Sequence, residues 1–254
     1  MKYFEKKANS NPVLNPTYLH MSSFKGVALV LAAALSTAVF ATMLASAQSP
    51  QMEQKLAAIK QAAAANKQKL AQYTWQETET VSIKGSVKDT KVYQIKMVNG
   101  KQQKTLSSEQ KAPPPSGGGR LKEHMIEKET QEFQEYGQAI GALAKQYTTP
   151  DPDAIAKAKE AGNISVQPGS STVSLVIKNY VKQGDSVTMT ISEQTHSPVG
   201  VEVNSYLNDP SDAVTISAKF AQLPDSTNHV ATTTVNGVSK HLTISEQNSN
   251  YQKM

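Results

Sequence analysis

Val173-Ser174-Leu175-Val176-Ile177 and Val187-Thr188-Met189-Thr190-Ile191, separated by a turn at Gly184-Asp185, decide the fold. Apolar side chains fall on every second position, the period of a strand that buries one face and wets the other. The pattern runs on towards the C-terminus. Val199, Val201, Val203 and Leu207 alternate after Thr195-His196-Ser197-Pro198, and Val214, Ile216, Ala218 and Phe220 alternate after Asn208-Asp209-Pro210. Beyond Leu223-Pro224-Asp225, residues Val230 to Val235 and Leu242 to Ile244 predict a last hairpin about Asn236-Gly237, a dipeptide that tolerates the positive φ of tight turns. From Ile164 onward the chain therefore reads as an antiparallel meander with one apolar face and one face of Thr, Ser, Lys and Glu.

Upstream, the same period appears once more. Tyr73, Trp75, Val81 and Ile83 share a side that Glu77 and Glu79 interrupt. Gly85 and Asp89 punctuate, Tyr93, Ile95 and Met97 alternate, and Asn99-Gly100 predicts a hairpin turn, so residues 73–106 form a second meander. Two stretches carry helical spacing instead. Met52, Leu56, Ile59, Ala63 and Leu70 predict a helix over 51–72; Leu121, Met125, Phe133, Tyr136, Ile140, Leu143 and Tyr147 predict another over 121–147. Gly137, Gly141 and Ala144 form a small-residue seam that admits a close neighbour. A short helix follows over 153–161, ended by Gly162-Asn163. Residues 111–120, with three prolines and then three glycines, are a linker. The fold class is α+β: a curved, half-barrel-like antiparallel sheet covered by two main helices, because so many one-faced strands must curl or be covered.

Residues 1–47 read as a signal peptide. Lys25 precedes the apolar run Gly26 to Ala47, no charge occurs between Lys25 and Glu53, and Ala45-Ser46-Ala47 matches the small-x-small pattern of signal peptidase. Cleavage is expected between Ala47 and Gln48, delivering the protein to the periplasm or the exterior. Left uncut, the run is long enough for an N-terminal membrane anchor, and the leader is the chain's one expected membrane contact. A start at Met21 would give a leader of ordinary length, with residues 1–20 lying before it. The remainder, 48–254, is expected to be a single β-rich domain. The chain has no cysteine, which excludes disulfides and lipid attachment through a lipobox.

The formal net charge is +5, but Lys2, Lys6, Lys7 and Lys25 against Glu5 supply most of it within the leader. Scattered lysines among glutamates elsewhere, and few aromatic residues, exclude a nucleic-acid partner. No catalytic motif emerges: no serine sits in a Gly-x-Ser-x-Gly elbow and no Gly-Lys-Ser/Thr follows the glycines of the linker. His124 and Glu127 lie three apart on a helix without further ligands, and His229 and His241 are placed across the last hairpin, too little for a metal site. Glu77 and Glu79 share a strand face, pointing to water or to a lysine on the next strand. The expectation is a non-enzymatic protein without metal or cofactor.

Three loose motifs, Tyr206-Leu207-Asn208-Asp209-Pro210, Phe220-Ala221-Gln222-Leu223-Pro224-Asp225 and Asn250-Tyr251-Gln252-Lys253, are similar to those of uncharacterised exported bacterial proteins. With the order of elements over residues 50–254, the chain resembles the periplasmic lipoprotein-carrier (LolA-like) fold. That resemblance implies a half-barrel whose apolar interior holds acyl chains under a helical lid, with a lipid or lipoprotein as partner. Trp75, Tyr93, Phe133, Tyr136 and Phe220 are the apolar groups expected to line such a cavity. The competing expectation is a structural or interaction module of the cell envelope, with an exposed sheet edge and no small-molecule ligand.

Overall fold

A computed structural model describes residues 50–113, 120–148 and 151–254. The leader, its cleavage site at Ala47 and Gln48, and residues 114–119 of the linker lie outside the described residues. Lys111, placed at the start of that linker by composition, instead ends a strand.

The alternating stretches form a ten-stranded antiparallel sheet. Its strands are β1 (Tyr73–Ile83), β2 (Ser86–Val98), β3 (Lys101–Lys111), β4 (Ile164–Pro168), β5 (Thr172–Lys178), β6 (Ser186–Ser192), β7 (Pro198–Tyr206), β8 (Ala213–Gln222), β9 (Asn228–Gly237) and β10 (Leu242–Lys253). Their spatial order is β3-β2-β1-β10-β9-β8-β7-β6-β5-β4. The chain thus starts near one edge, leaves it after β3, and returns strand by strand from the other edge until β10 pairs with β1. Between β3 and β4 it runs through two helices, α2 (Arg120–Gln146) and α3 (Pro152–Glu160), which follow α1 (Pro50–Leu70). The architecture is the α+β curved sheet anticipated from the periodicity.

The β1–β2 and β2–β3 turns are made by Lys84-Gly85 and Asn99-Gly100, all at positive φ, the backbone of a two-residue hairpin that keeps the strand twist. The second Asn-Gly differs. Asn236 and Gly237 belong to β9, paired with Thr243 and Leu242, so the hairpin predicted about them turns instead at residues 238–241. The reason is packing: a Cβ on Gly237 would overlap the ring of Tyr136 from α2. Gly237→Ala should therefore push that ring off the sheet and destabilise by about 1–3 kcal/mol, read as a lowered urea midpoint at constant m. An unchanged midpoint would show that the ring has room to move.

The sheet's register sorts its two faces. On the inner face a row of opposed residues runs Asp89, Val81, Ile244, Val235, Ile216, Val203, Val187, Ile177, Ile164 from β2 to β4. Ile59 of α1, Ile140, Leu143 and Ala144 of α2, and Ile155 and Ala158 of α3 pack on it as the main core. The outer face carries hydroxyls, for instance Thr90, Thr80, Ser245, Thr234 and Ser217 in one row. Helix α1 is keyed to the sheet by Asn66, whose amide donates to Asn228 O at 2.8 Å and accepts from Asn228 N at 2.6 Å, copying a strand neighbour. Asp151 caps α3 by accepting from Asp153 N and Ala154 N, with Pro152 in the first turn.

Candidate functional site

The next inner-face row breaks the apolar rule. From β4 to β8 it reads Val166, Leu175, Met189, Val201, Ala218; Thr233 of β9 marks the change, and from β10 to β3 it reads Glu246, Glu79, Lys91, Glu109. Strict alternation along β1 carries Glu77 and Glu79 onto the side of Trp75 and Val81, and burial forces them to find cations. Lys104 reaches across from β3. Its ammonium donates to Glu77 and stands 3.8 Å from Glu79 Oε2 and 3.9 Å from Glu246 Oε1. Lys91 lies 3.1 Å from Asp89 Oδ2, 3.9 Å from Glu79 Oε1 and 3.8 Å from Glu109. Lys111 adds a contact to Glu109 at 3.3 Å.

Glu79 Oε2 and Asp89 Oδ1 are buried without a hydrogen-bond partner, although the side chains of Glu79 and Asp89 are only 2% and 5% exposed. Burial raises the Glu79 carboxyl above its ordinary 4.5, outweighing the pull of Lys104 and Lys91. A raised folded-state value means that folding favours the proton. The cost of ionising Glu79 is absent below pH 4.5 and grows as pH rises through the raised value. Glu79→Gln should therefore raise Tm at pH 7–8 by a few degrees, and the gain should vanish near pH 4 in melts followed by circular dichroism. A gain independent of pH would refute this account of the charge.

Beside the band lies a second apolar cluster: Leu70, Tyr73, Trp75 and Ile95, flanked by Tyr93, Met97, Leu223 and Tyr251. Tyr251 stacks on Trp75 at 5.4 Å and 17°. It gets there through a bulge opposite Thr74 and Gln76, where Asn250 adopts a φ of 53°. Asn248 accepts from the Trp75 indole at 3.0 Å, and the Lys104 ammonium sits 4.0 Å above the Tyr93 ring. Burial, then the charges of Glu79, Glu77, Asp89 and Glu109, push the Tyr93 hydroxyl up. His229 lies 4.3 Å from the Tyr251 ring, and burial holds its imidazole below the ordinary value.

The five aromatic residues expected around one cavity divide between these clusters. Trp75 and Tyr93 belong to the β1–β2 cluster, whereas Phe133, Tyr136 and Phe220 flank the main core. Tyr136 is fixed there by donating to Asp212 at 2.9 Å, with Ser239 3.0 Å away. The quoted motifs hold turns. Lys182 donates to Tyr206 O and Leu207 O, and Asp225 accepts from Thr227 N and Tyr73; Thr227 first, then Tyr73 and Lys253, draw its carboxyl down to about 2. His124 and Glu127 are 3.9 Å apart on an exposed helix face. His229 and His241 are not opposed: His229 pairs with Ala221 of β8, and His241 lies in the last turn. Among the described residues no group of three His, Asp or Glu is arranged to hold a metal. An open groove of about 920 Å³ at the end of α2 is lined by Lys145, Asp151, Lys157, Tyr180 and Lys182 among others, and by none of the five aromatics.

Sequence reading had Glu77 and Glu79 as a pair turned to water or to a lysine; the lysine is what they meet. Asp89, Lys91, Lys104, Glu246 and Tyr251 were not anticipated as site residues. The two glutamates interrupting an apolar side were the available signal. No helix among the described residues is long and apolar enough to cross a membrane. No protein-family model matches the chain, and no curated protein does. Among solved structures the chain is similar to a DUF1329 family protein from Desulfovibrio piger, at 9% identity over 78% of this chain and 92% of that one, with a TM-score of 0.37. It is also similar to a LolA superfamily protein from Nitrosomonas europaea, at 9% identity over 75% of this chain and 93% of that one, with a TM-score of 0.33.

Proposed function

We propose that this is an exported, non-enzymatic protein that binds a hydrophobic or amphipathic ligand, such as a lipid or a lipoprotein acyl chain, on the inner face of the sheet. The observation that carries the reading is the composition of that face at its β1–β2–β3 end. An aromatic cluster and a buried charged band lie side by side there, while α2 meets the sheet chiefly along β9 and α3 along β5. Leu70 is the one helix residue in the aromatic cluster among the described residues. Half-exposed Leu106 stands opposite Tyr93 on the same face. Such a surface sets apolar contact and polar anchoring side by side, the usual make-up of a small-molecule site. Export follows from the leader, and cleavage after Ala47 would release the domain into the periplasm.

Native mass spectrometry of the exported protein tests this. A co-purified lipid mass is expected, and the mass of the protein itself reports whether the leader ends at Ala47. A bare protein that also takes up no lipid from phosphatidylethanolamine–phosphatidylglycerol vesicles would overturn the reading.

A further inference from the structure

We propose that Asn99-Gly100 is a site of spontaneous modification, where the asparagine cyclises onto the next backbone nitrogen and opens to aspartate and isoaspartate, loosening β3 as the protein ages. In this reaction the glycine nitrogen attacks the asparagine Cγ, the Cγ–Nδ2 bond breaks, and ammonia leaves with the amide proton, closing a succinimide. Water then adds to one of the two imide carbonyls. Opening at the first gives an ordinary aspartyl peptide; opening at the second draws the side-chain methylene into the main chain as isoaspartate. One water is taken up, one ammonia is lost, and nothing is oxidised or reduced. A glycine after the asparagine favours the step because it carries no Cβ to crowd the ring.

The chain holds two Asn-Gly pairs, and the fold treats them oppositely. Asn99 and Gly100 are exposed in the β2–β3 turn. The strand ladder ends at Val98 and Lys101, and neither the Gly100 N–H nor the Asn99 amide makes a hydrogen bond among the described residues. A Cβ on Gly100 would meet nothing within 4 Å, so the ring has room to close. Asn236-Gly237 has the same chemistry and none of this freedom. It lies in β9 with Gly237 opposite both Val214 of β8 and Leu242 of β10. The Asn236 side chain accepts from Thr243 at 2.9 Å and donates to Thr215 at 3.4 Å, so it reacts only from molecules in which the strand has opened.

The two products differ for the fold. Asp-Gly suits a two-residue hairpin as Asn-Gly does, whereas isoaspartate lengthens the turn against a register that sets Gln102 opposite Met97 and Lys104 opposite Ile95. In the sheet β3 is an edge strand held by β2 alone, and it is the strand that brings Lys104 to Glu77.

Full-length protein would be held at pH 8 and 37 °C and digested at intervals with trypsin, which releases residues 97–101 and 220–240 as separate peptides. Mass spectrometry is expected to show Asn99 gaining about one mass unit at least roughly 10-fold faster than Asn236, as an aspartyl and an isoaspartyl product. In guanidinium-unfolded protein the two asparagines should convert at like rates. An Asn99 that stays intact in the folded protein while converting in the unfolded one would overturn the proposal, as would equal conversion of both pairs in the folded protein. The isoaspartyl form, separated by hydrophobic-interaction chromatography, should melt a few degrees below the aspartyl form, and N99D should melt with the unmodified protein. Equal melting of the two forms would overturn the loosening of β3.

Discussion

Lys104→Met is expected to be the most damaging single change to the charged band. The methionine keeps the stem that crosses Tyr93 and removes the ammonium that faces Glu77, Glu79 and Glu246. Removing one member of a buried ionic group costs about 3–5 kcal/mol, because the remaining charges stay out of water without their partner. For a domain of this size that corresponds to a Tm lower by roughly 10 °C. Adding Glu77→Gln should return part of the loss, since the two positions share one contact. A Tm within a degree or two of the unmodified protein would mean that water reaches the band freely and that the lysine contributes no more than a surface pair.

Asp185→Ala should be comparable at the opposite end of the sheet. Asp185 is buried in the β5–β6 loop, where one carboxylate accepts from the backbone N–H groups of Tyr180 at 2.6 Å, Val181 at 2.9 Å and Lys182 at 3.0 Å. The Tyr147 hydroxyl of the turn after α2 donates to it at 2.7 Å and lies 2.7 Å from Ser205. Alanine would leave these donors without their acceptor in a dry loop, a loss of about 3 kcal/mol or more at 1–3 kcal/mol for each unmatched buried group. Urea unfolding at constant m measures it, and Asp185→Asn should fall between the two because its carbonyl oxygen still accepts. A loss below about 1 kcal/mol would show that the loop rearranges around the substitution.

These two sites differ in how far the sequence discloses them. Alternation alone places Val187, Met189 and Ile191 inside, and it places Glu77 and Glu79 on the side of Trp75, because a strand's period of two admits no other face. What neutralises the glutamates is a matter of register, which no single strand contains. Lys104 comes close only because the Asn99-Gly100 hairpin sets β3 against β2 with Lys104 opposite Ile95. Asp89, beside Gly85 and Lys88, has the look of a turn residue; a register shift between Val81 and Ser82 instead carries it inside β2 and onto the inner face. The two Asn-Gly pairs show the same limit. One makes a turn, and the other lies within a strand because the ring of Tyr136, distant in sequence, needs the space a side chain would fill. Tyr251 reaches Trp75 only through the irregularity at Asn250, which the residues around it do not announce.

The strand order has a consequence for how the chain must fold. β1 is flanked by β2, its immediate neighbour in sequence, and by β10, the final strand. Contacts such as the Trp75–Asn248 hydrogen bond join residues 173 positions apart. Pairings of such separation close slowly, because the loop must be ordered before the contact repays it. In a chain made N-terminus first, the β1–β3 meander has to wait with one side of β1 open, and with Glu77, Glu79 and Trp75 lacking Glu246, Asn248 and Tyr251, until β10 is made. The charged and aromatic face is in this sense completed only by β10, the latch that turns a waiting meander into a closed inner surface.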